Sequence, residues 1–130
     1  MGERPVILLI DDEAAVRKMI GRRLQQQGFD VLTAETGEDG LQVAERQQPD
    51  LILLDIMLPK MKGRDVCAHL KRTPATQRIP VIFLTGLRLA DHVRGGMAAG
   101  ADDYIIKPVD PAVLKERITV CLARAADAKL

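Results

Sequence analysis

Three aspartates, a threonine and a lysine are the residues of this sequence best placed to do chemistry. Asp11 and Asp12 directly follow the apolar run Val6–Ile10, and Asp55 follows Leu51–Leu54. Thr85 follows Val81–Leu84, and Lys107, with Pro108 after it, follows Asp103–Ile106. If these runs are strands of one parallel sheet, the polar side chains emerge at one rim, because functional residues of such sheets gather beyond the carboxyl ends of the strands near a switch in strand order. Two unit charges about 5 Å apart repel by roughly 3 kcal/mol at an effective dielectric near 20. Lys107 offsets only part of the repulsion among three carboxylates. A divalent cation with oxygen ligands satisfies the rest, and Mg²⁺ is the usual choice beside phosphate. The constellation reads as a Mg²⁺ site that then takes an anion, with Lys107 and Thr85 suited to hold the anion's oxygens.

Each residue alone has a plainer reading. An aspartate after a strand commonly caps the next helix. A threonine there fits a turn, and a Lys-Pro pair marks a loop. Placement at the ends of four separate runs is what favours a shared site.

The elements needed to position these residues follow from the pattern. Val6–Ile10, Leu51–Leu54 and Val81–Leu84 are continuous apolar runs, as expected of strands buried on both faces. Phe29–Ala34 alternates only partly and suits a sheet edge, and Asp103–Ile106 reads as a short fifth strand. Between them lie helical patterns at Ala14–Gln27, from Thr36-Gly37 to about Arg46, at Gly63–Arg72, and a weak one at Ala90–Ala99 loosened by Gly95 and Gly96. Val16, Ile20 and Leu24 form the apolar stripe of the first, Leu41 and Ala44 point inward from the second, and Val66 and Leu70 from the third. Gly28 suits a left-handed C-terminal cap, and Pro49 stops the second helix. Asp55 to Lys62 reads as a loop. Asp110-Pro111 is an N-cap followed by proline at the first helical position, opening a last helix with Leu114, Ile118, Cys121 and Leu122 inward. Alternating strands and helices with short loops give right-handed crossovers and a parallel sheet covered on both sides. The chain reads as one domain over residues 1–130, with about four disordered residues at its C-terminus.

Composition narrows the function classes. A chain of 130 residues suits one domain with a real core. Aromatics are only 2%, so Leu, Ile, Val, Met and Ala must fill that core, and stacking of bases on aromatic rings is excluded as a principal activity. A net charge of +1 lacks the basic footprint of a nucleic-acid binder. Val6–Ile10 is far too short to cross a bilayer and leads into two aspartates rather than a cleavage site. No membrane association is expected, and a cytoplasmic location is. Cys67 and Cys121 sit among apolar neighbours and read as small buried hydrophobes rather than a disulfide. His69 and His92 have polar helical positions and no metal-ligand spacing, so both read as surface residues.

The segments VILLIDDE, PDLILLDIMLPKMKG, IPVIFLTG and AGADDYIIKP, in this order and spacing, resemble the response-regulator receiver domains of two-component signalling. The resemblance runs from Val6 to about Arg124. It implies a flavodoxin-like α/β fold, a doubly wound five-stranded parallel sheet of order 2-1-3-4-5 with five helices, and no effector domain in this chain. It implies that Asp55 is the phosphoacceptor, that Asp12 binds Mg²⁺ directly and Asp11 through water, and that the backbone carbonyl of Met57 completes the metal site. Thr85 matches the switch hydroxyl, Tyr104 the switch aromatic and Lys107 the phosphoryl-binding lysine, with a cis peptide before Pro108. The implied donor is a sensor histidine kinase or a histidine phosphotransfer protein. The implied output is a shift of the surface formed by the fourth helix, fifth strand and fifth helix. Asp102-Asp103, Arg117 and Arg124 resemble positions that pair across a homodimer on that surface in receivers attached to winged-helix DNA-binding domains.

Some residues depart from the common pattern. Lys60 and Lys62 make the loop after Asp55 basic, which is either a solvated loop or a rim charge that steers kinase choice. Met57 and Leu87 are apolar where many relatives are polar, and would impede water near an acyl phosphate. Two rival functions use the same residues: a small Mg²⁺-dependent phosphatase with an aspartyl-phosphate intermediate, and a degenerate receiver acting as a scaffold. The phosphatase would place its nucleophile in an Asp-x-Asp loop after the first strand, and the complete acidic set argues against the scaffold. A flavin-binding module of the same fold would need a Ser/Thr/Gly-rich phosphate loop where Asp11-Asp12-Glu13 stands.

Overall fold

The computed structural model describes residues 3–86 and 99–128. The apolar runs form five strands: β1 (Val6–Ile10), β2 (Asp30–Ala34), β3 (Leu51–Asp55), β4 (Val81–Thr85) and β5 (Asp103–Ile106). They pair in parallel in the order β2-β1-β3-β4-β5. This is the flavodoxin-like order, and its switch point lies between β1 and β3, where a crevice opens beyond the strand ends. Ile10 pairs with Leu54, so the residues that follow them, Asp11 and Asp55, lie side by side. Two strands are longer than their apolar runs. β3 includes Asp55, which pairs with Leu84, and β4 includes Thr85, which pairs with Ile106. Asp55 was expected to begin a loop. Pairing with β4 continues one residue past the last apolar side chain, because the Ile56 N–H still donates to the Leu84 carbonyl at 3.1 Å.

Four helices lie among the described residues: α1 (Ala14–Gln26), α2 (Gly37–Gln47), α3 (Gly63–Arg72) and α4 (Pro111–Ala128). The helix expected at Ala90–Ala99 falls outside them, as do Leu87, His92, Gly95 and Gly96. Its final residue, Ala99, is described and sits in a turn before Gly100. The caps read from the sequence at Gly28 and Asp110 are present, and Thr36 adds one at the start of α2. Thr36 accepts from the Asp39 N–H at 3.1 Å, Asp110 accepts from the Ala112 N–H at 2.8 Å, and Gly28 has φ +99°. The end of α2 is different. Gln48 takes the left-handed conformation (φ 49°, ψ 61°) and its side-chain amide donates to the Ala44 and Glu45 carbonyls at 3.3 and 3.0 Å. Those bonds satisfy carbonyls that a helix end leaves unpaired. α4 continues to Ala128, so the tail expected to be disordered is helical up to that residue.

Strand alternation splits the core into two layers. Leu8, Ile10, Ile52, Leu54 and Phe83 face α2 and α3, while Ile7, Leu9, Leu53, Ile82 and Leu84 face α1 and α4. Each fully buried side chain of this kind contributes about 1.5–3 kcal/mol relative to exposure, so the strand ends that carry polar residues rest on a fixed base. Leu41, expected inward, is only half-buried against this core. Cys67 and Cys121 are both free and buried, one in each layer. Among the described residues no helix is long and apolar enough to cross a membrane.

Candidate functional site

The sheet brings Asp11, Asp12, Asp55, Thr85 and Lys107 to its carboxyl rim. One carboxylate oxygen from each of Asp11, Asp12 and Asp55 lies within 4.8 Å of the others, a grouping that could hold a metal ion. Asp11 is fully buried and Asp55 is 5% exposed, whereas Asp12 faces solvent. Asp11 is held on every side. Its N–H donates to the Ala34 carbonyl at 3.1 Å, its Oδ1 accepts from the Glu13 N–H at 2.9 Å, and its carbonyl accepts from Arg17 Nη1 at 2.7 Å. Asp55 Oδ1 accepts from the Met57 N–H at 2.9 Å. The Lys107–Pro108 peptide is cis, and the Lys107 N–H donates to the Thr85 carbonyl at 2.6 Å. Lys107 Nζ lies 3.0 Å from Asp11 Oδ2 and 3.4 Å from Asp55 Oδ2.

One ammonium among three carboxylates leaves the cluster net negative. Burial pushes the Asp55 carboxyl above its usual range; the Met57 N–H and the Lys107 charge pull the other way, and the Asp11 charge adds to the rise. Burial pulls Lys107 down, but its hydrogen bond to Asp11 and the charges of Asp55 and Asp11 outweigh that and hold the ammonium above its ordinary pKa. Lys107 therefore stays charged near neutrality, and Asp55 is left partly uncompensated. Such a site favours a cation with oxygen preferences, since hard divalent ions take carboxylate and carbonyl ligands.

The remaining expected residues fall around this centre. Thr85 is 2% exposed, and its hydroxyl donates to the Gly86 carbonyl at 3.3 Å. Phe83 pairs with Tyr104 and Thr85 with Ile106, so Thr85 and Tyr104 emerge on the same face of the sheet. Tyr104 is 37% exposed. Met57 is half-exposed beside Asp55, and Lys60 (φ 61°) and Lys62 are exposed in the following loop. Of the residues expected to pair across a dimer face, Asp102, Asp103 and Arg117 have partners within the chain. Arg117 Nη1 lies 2.9 Å from Asp103 Oδ1, and Asp102 Oδ2 lies 3.3 Å from Lys71 Nζ while accepting from the Val81 N–H at 2.8 Å. His69 is exposed, as expected. Sequence reasoning missed Arg17, which anchors the Asp11 carbonyl, and Gly63, which packs against the Asp55 backbone. The only signal for Gly63 is a poor helix former at the first helical position; Arg17 gives none.

Comparison with known proteins agrees with this geometry. Residues 7–119 match the response regulator receiver domain family. The chain is 44% identical over 120 residues to the transcriptional regulatory protein AfsQ1 of Streptomyces coelicolor, covering 92% of this chain and 52% of that one. It spans about half the length of the curated relatives it matches. Its structure is similar to a CheY-like response regulator receiver domain protein from Methanospirillum hungatei (TM-score 0.89, 30% identity, 97% of this chain and 99% of that one). It is also similar to the receiver domain of sensor histidine kinase PA1611 from Pseudomonas aeruginosa, which has a magnesium ion coordinated in its active-site cleft (TM-score 0.86, 28% identity, 93% and 99%). The chain belongs to the receiver domains of response regulators, the phosphorelay switches of two-component signalling.

Proposed function

We propose that Asp55 accepts a phosphoryl group from the phosphohistidine of a sensor histidine kinase or a histidine phosphotransfer protein, with Mg²⁺ held by Asp11, Asp12, Asp55 and the Met57 backbone carbonyl. The observation that carries this reading is the meeting of Asp55 with Asp11, Asp12 and Lys107 from three different strand ends. The donor set fits the ion, being all oxygen and net negative. Bound Mg²⁺ would neutralise charge on the phosphoryl oxygens.

The chain's own residues do the rest by position and charge. The Met57 N–H fixes the Asp55 carboxylate, and the Glu13 N–H fixes Asp11. A carboxylate oxygen of Asp55 bonds to phosphorus as the P–N bond to histidine breaks, and the imidazole nitrogen leaves with the electron pair. Lys107, now bridging Asp11 and Asp55, turns its N–H groups toward the phosphoryl oxygens. Water later attacks phosphorus, the bond to Asp55 breaks, and inorganic phosphate leaves. The domain thus promotes only its own phosphorylation and dephosphorylation.

Phosphoryl oxygens would also draw in the Thr85 hydroxyl, vacating space for Tyr104 on the same face. Converting a population from almost wholly one packing to almost wholly the other takes roughly 5 kcal/mol of differential stabilisation. Tyr104 and Ile106 of β5 and Val113 and Val120 of α4 are apolar and exposed, which supports the edge of the molecule formed by β5 and α4 as part of the output surface and as the contact of a homodimer. The phosphatase alternative fits less well, because adjacent aspartates follow β1 and the lone Asp55 ends β3. Treatment with Mg²⁺ and acetyl phosphate should label the wild type and leave Asp55→Asn unlabelled; equal labelling of both would overturn the assignment.

A further inference from the structure

We propose that Gly63 is a positioning residue for the acceptor: the absence of a side chain at the first residue of α3 sets where the Asp55–Ile56 peptide lies, and so the geometry of the metal and phosphoryl site. The inference rests on the reading of Asp55 as acceptor. A Cβ on Gly63 would stand 2.4 Å from the Asp55 carbonyl oxygen, 2.7 Å from Ile56 Cα and 3.1 Å from the Asp55 carbonyl carbon. Ordinary contact begins near 3.4 Å, so a methyl group here demands a shift of about 1 Å. All three clashing atoms are backbone, and no rotamer change relieves them. The same glycine donates its N–H to the Ile56 carbonyl at 3.2 Å. Residue 63 therefore grips the acceptor peptide by close contact on one carbonyl and a hydrogen bond to the next. On the opposite side the Ile56 N–H is tied to the Leu84 carbonyl at 3.1 Å. Held from both sides, the turn delivers the Met57 N–H to Asp55 Oδ1 at 2.9 Å. A shift of the peptide moves the Asp55 carboxylate and the Met57 carbonyl together.

Gly40 supplies the control. A Cβ there would come equally close, 2.4 Å, but to the Cδ1 of Ile10, a side-chain methyl in the core layer rather than the acceptor backbone. Both Gly63→Ala and Gly40→Ala should lower the melting temperature. Only Gly63→Ala should weaken Mg²⁺ binding, by about tenfold, the low end of the effect seen when groups that orient metal ligands are removed. Titration calorimetry with MgCl₂, well below the melting temperature of each variant, reads this directly. Wild type, Asp55→Asn, Gly40→Ala and Gly63→Ala are compared. Mg²⁺ affinity of Gly63→Ala equal to wild type, or lowered no more than in Gly40→Ala, overturns the proposal alone. Wild-type binding that is absent or indifferent to Asp55→Asn overturns the site reading and the proposal with it. Should Gly63→Ala be unfolded in buffer, sucrose, which favours the compact state, permits the same titration. A chain that stays unfolded even there has lost its fold rather than its site, and the positioning role falls.

Discussion

Asp55 is subject to two opposed demands. In the acceptor role proposed for it, it must be ionised, yet it is buried and shares one lysine with Asp11. Its folded pKa is raised, chiefly by burial. A carboxyl whose folded pKa lies above its unfolded value favours the fold while protonated, and that contribution is lost as pH rises through the folded value. Above the folded value the protein bears the cost of the charge. Asp55→Asn removes it, keeps an oxygen for the Met57 N–H, and leaves Lys107 to Asp11. In metal-free buffer at pH 7 this variant should be more stable than wild type, seen as a higher melting temperature. The gap should close as pH falls toward 4 and below. An Asn variant that melts lower than wild type at pH 7 would mean that the Lys107–Asp55 attraction outweighs desolvation. Functional sites commonly carry such a stability cost.

At the level of elements, the site depends on how strands end and helices begin. α4 starts three residues after Pro108, close behind Lys107, and Asp110 caps it through the Ala112 N–H at 2.8 Å. Asp110→Ala should cost about 1 kcal/mol, visible as a lower urea midpoint with an unchanged slope; a neutral result would mean that solvent replaces the cap. This cap was legible in the sequence, as were the strands, because Asp-Pro before a periodic stretch and continuous apolar runs are local signals. The polar set at the rim was legible for the same reason, each member standing at the end of a run. Other features were not, because they arise from contacts distant in sequence. Asp55 belongs to β3 only through pairing with β4. Nothing in the α2 sequence announces that Gln48 caps its own helix from a left-handed conformation, where glycine is usual. Arg117 and Asp103 are 14 residues apart, and pairing within the chain becomes visible only when α4 lies against β5.

For the whole molecule, the sheet that carries the site also divides the interior into two layers, and each holds one cysteine. Cys67, on the inner side of α3, lies in one, and Cys121, on the inner side of α4, in the other. Burial pushes the Cys67 thiol up to about 11 and raises that of Cys121 as well. Because the thiolate is the reactive form, neither should react with an aromatic disulfide reagent at pH 8 while the sheet is intact. Both should react once it opens, at a rate set by global unfolding if the two layers form one cooperative unit. The raised value of Cys67 has a definite sign for stability. The fold favours the protonated thiol, so its contribution is complete below the ordinary thiol value of 9.0 and is lost as pH rises through about 11. Wild type should lose on the order of 2 kcal/mol more than Cys67→Ala across that interval. Parallel pH curves for the two proteins, or labelling of Cys67 ahead of Cys121 at pH 8, would show that the layer beneath α3 opens on its own, without the sheet.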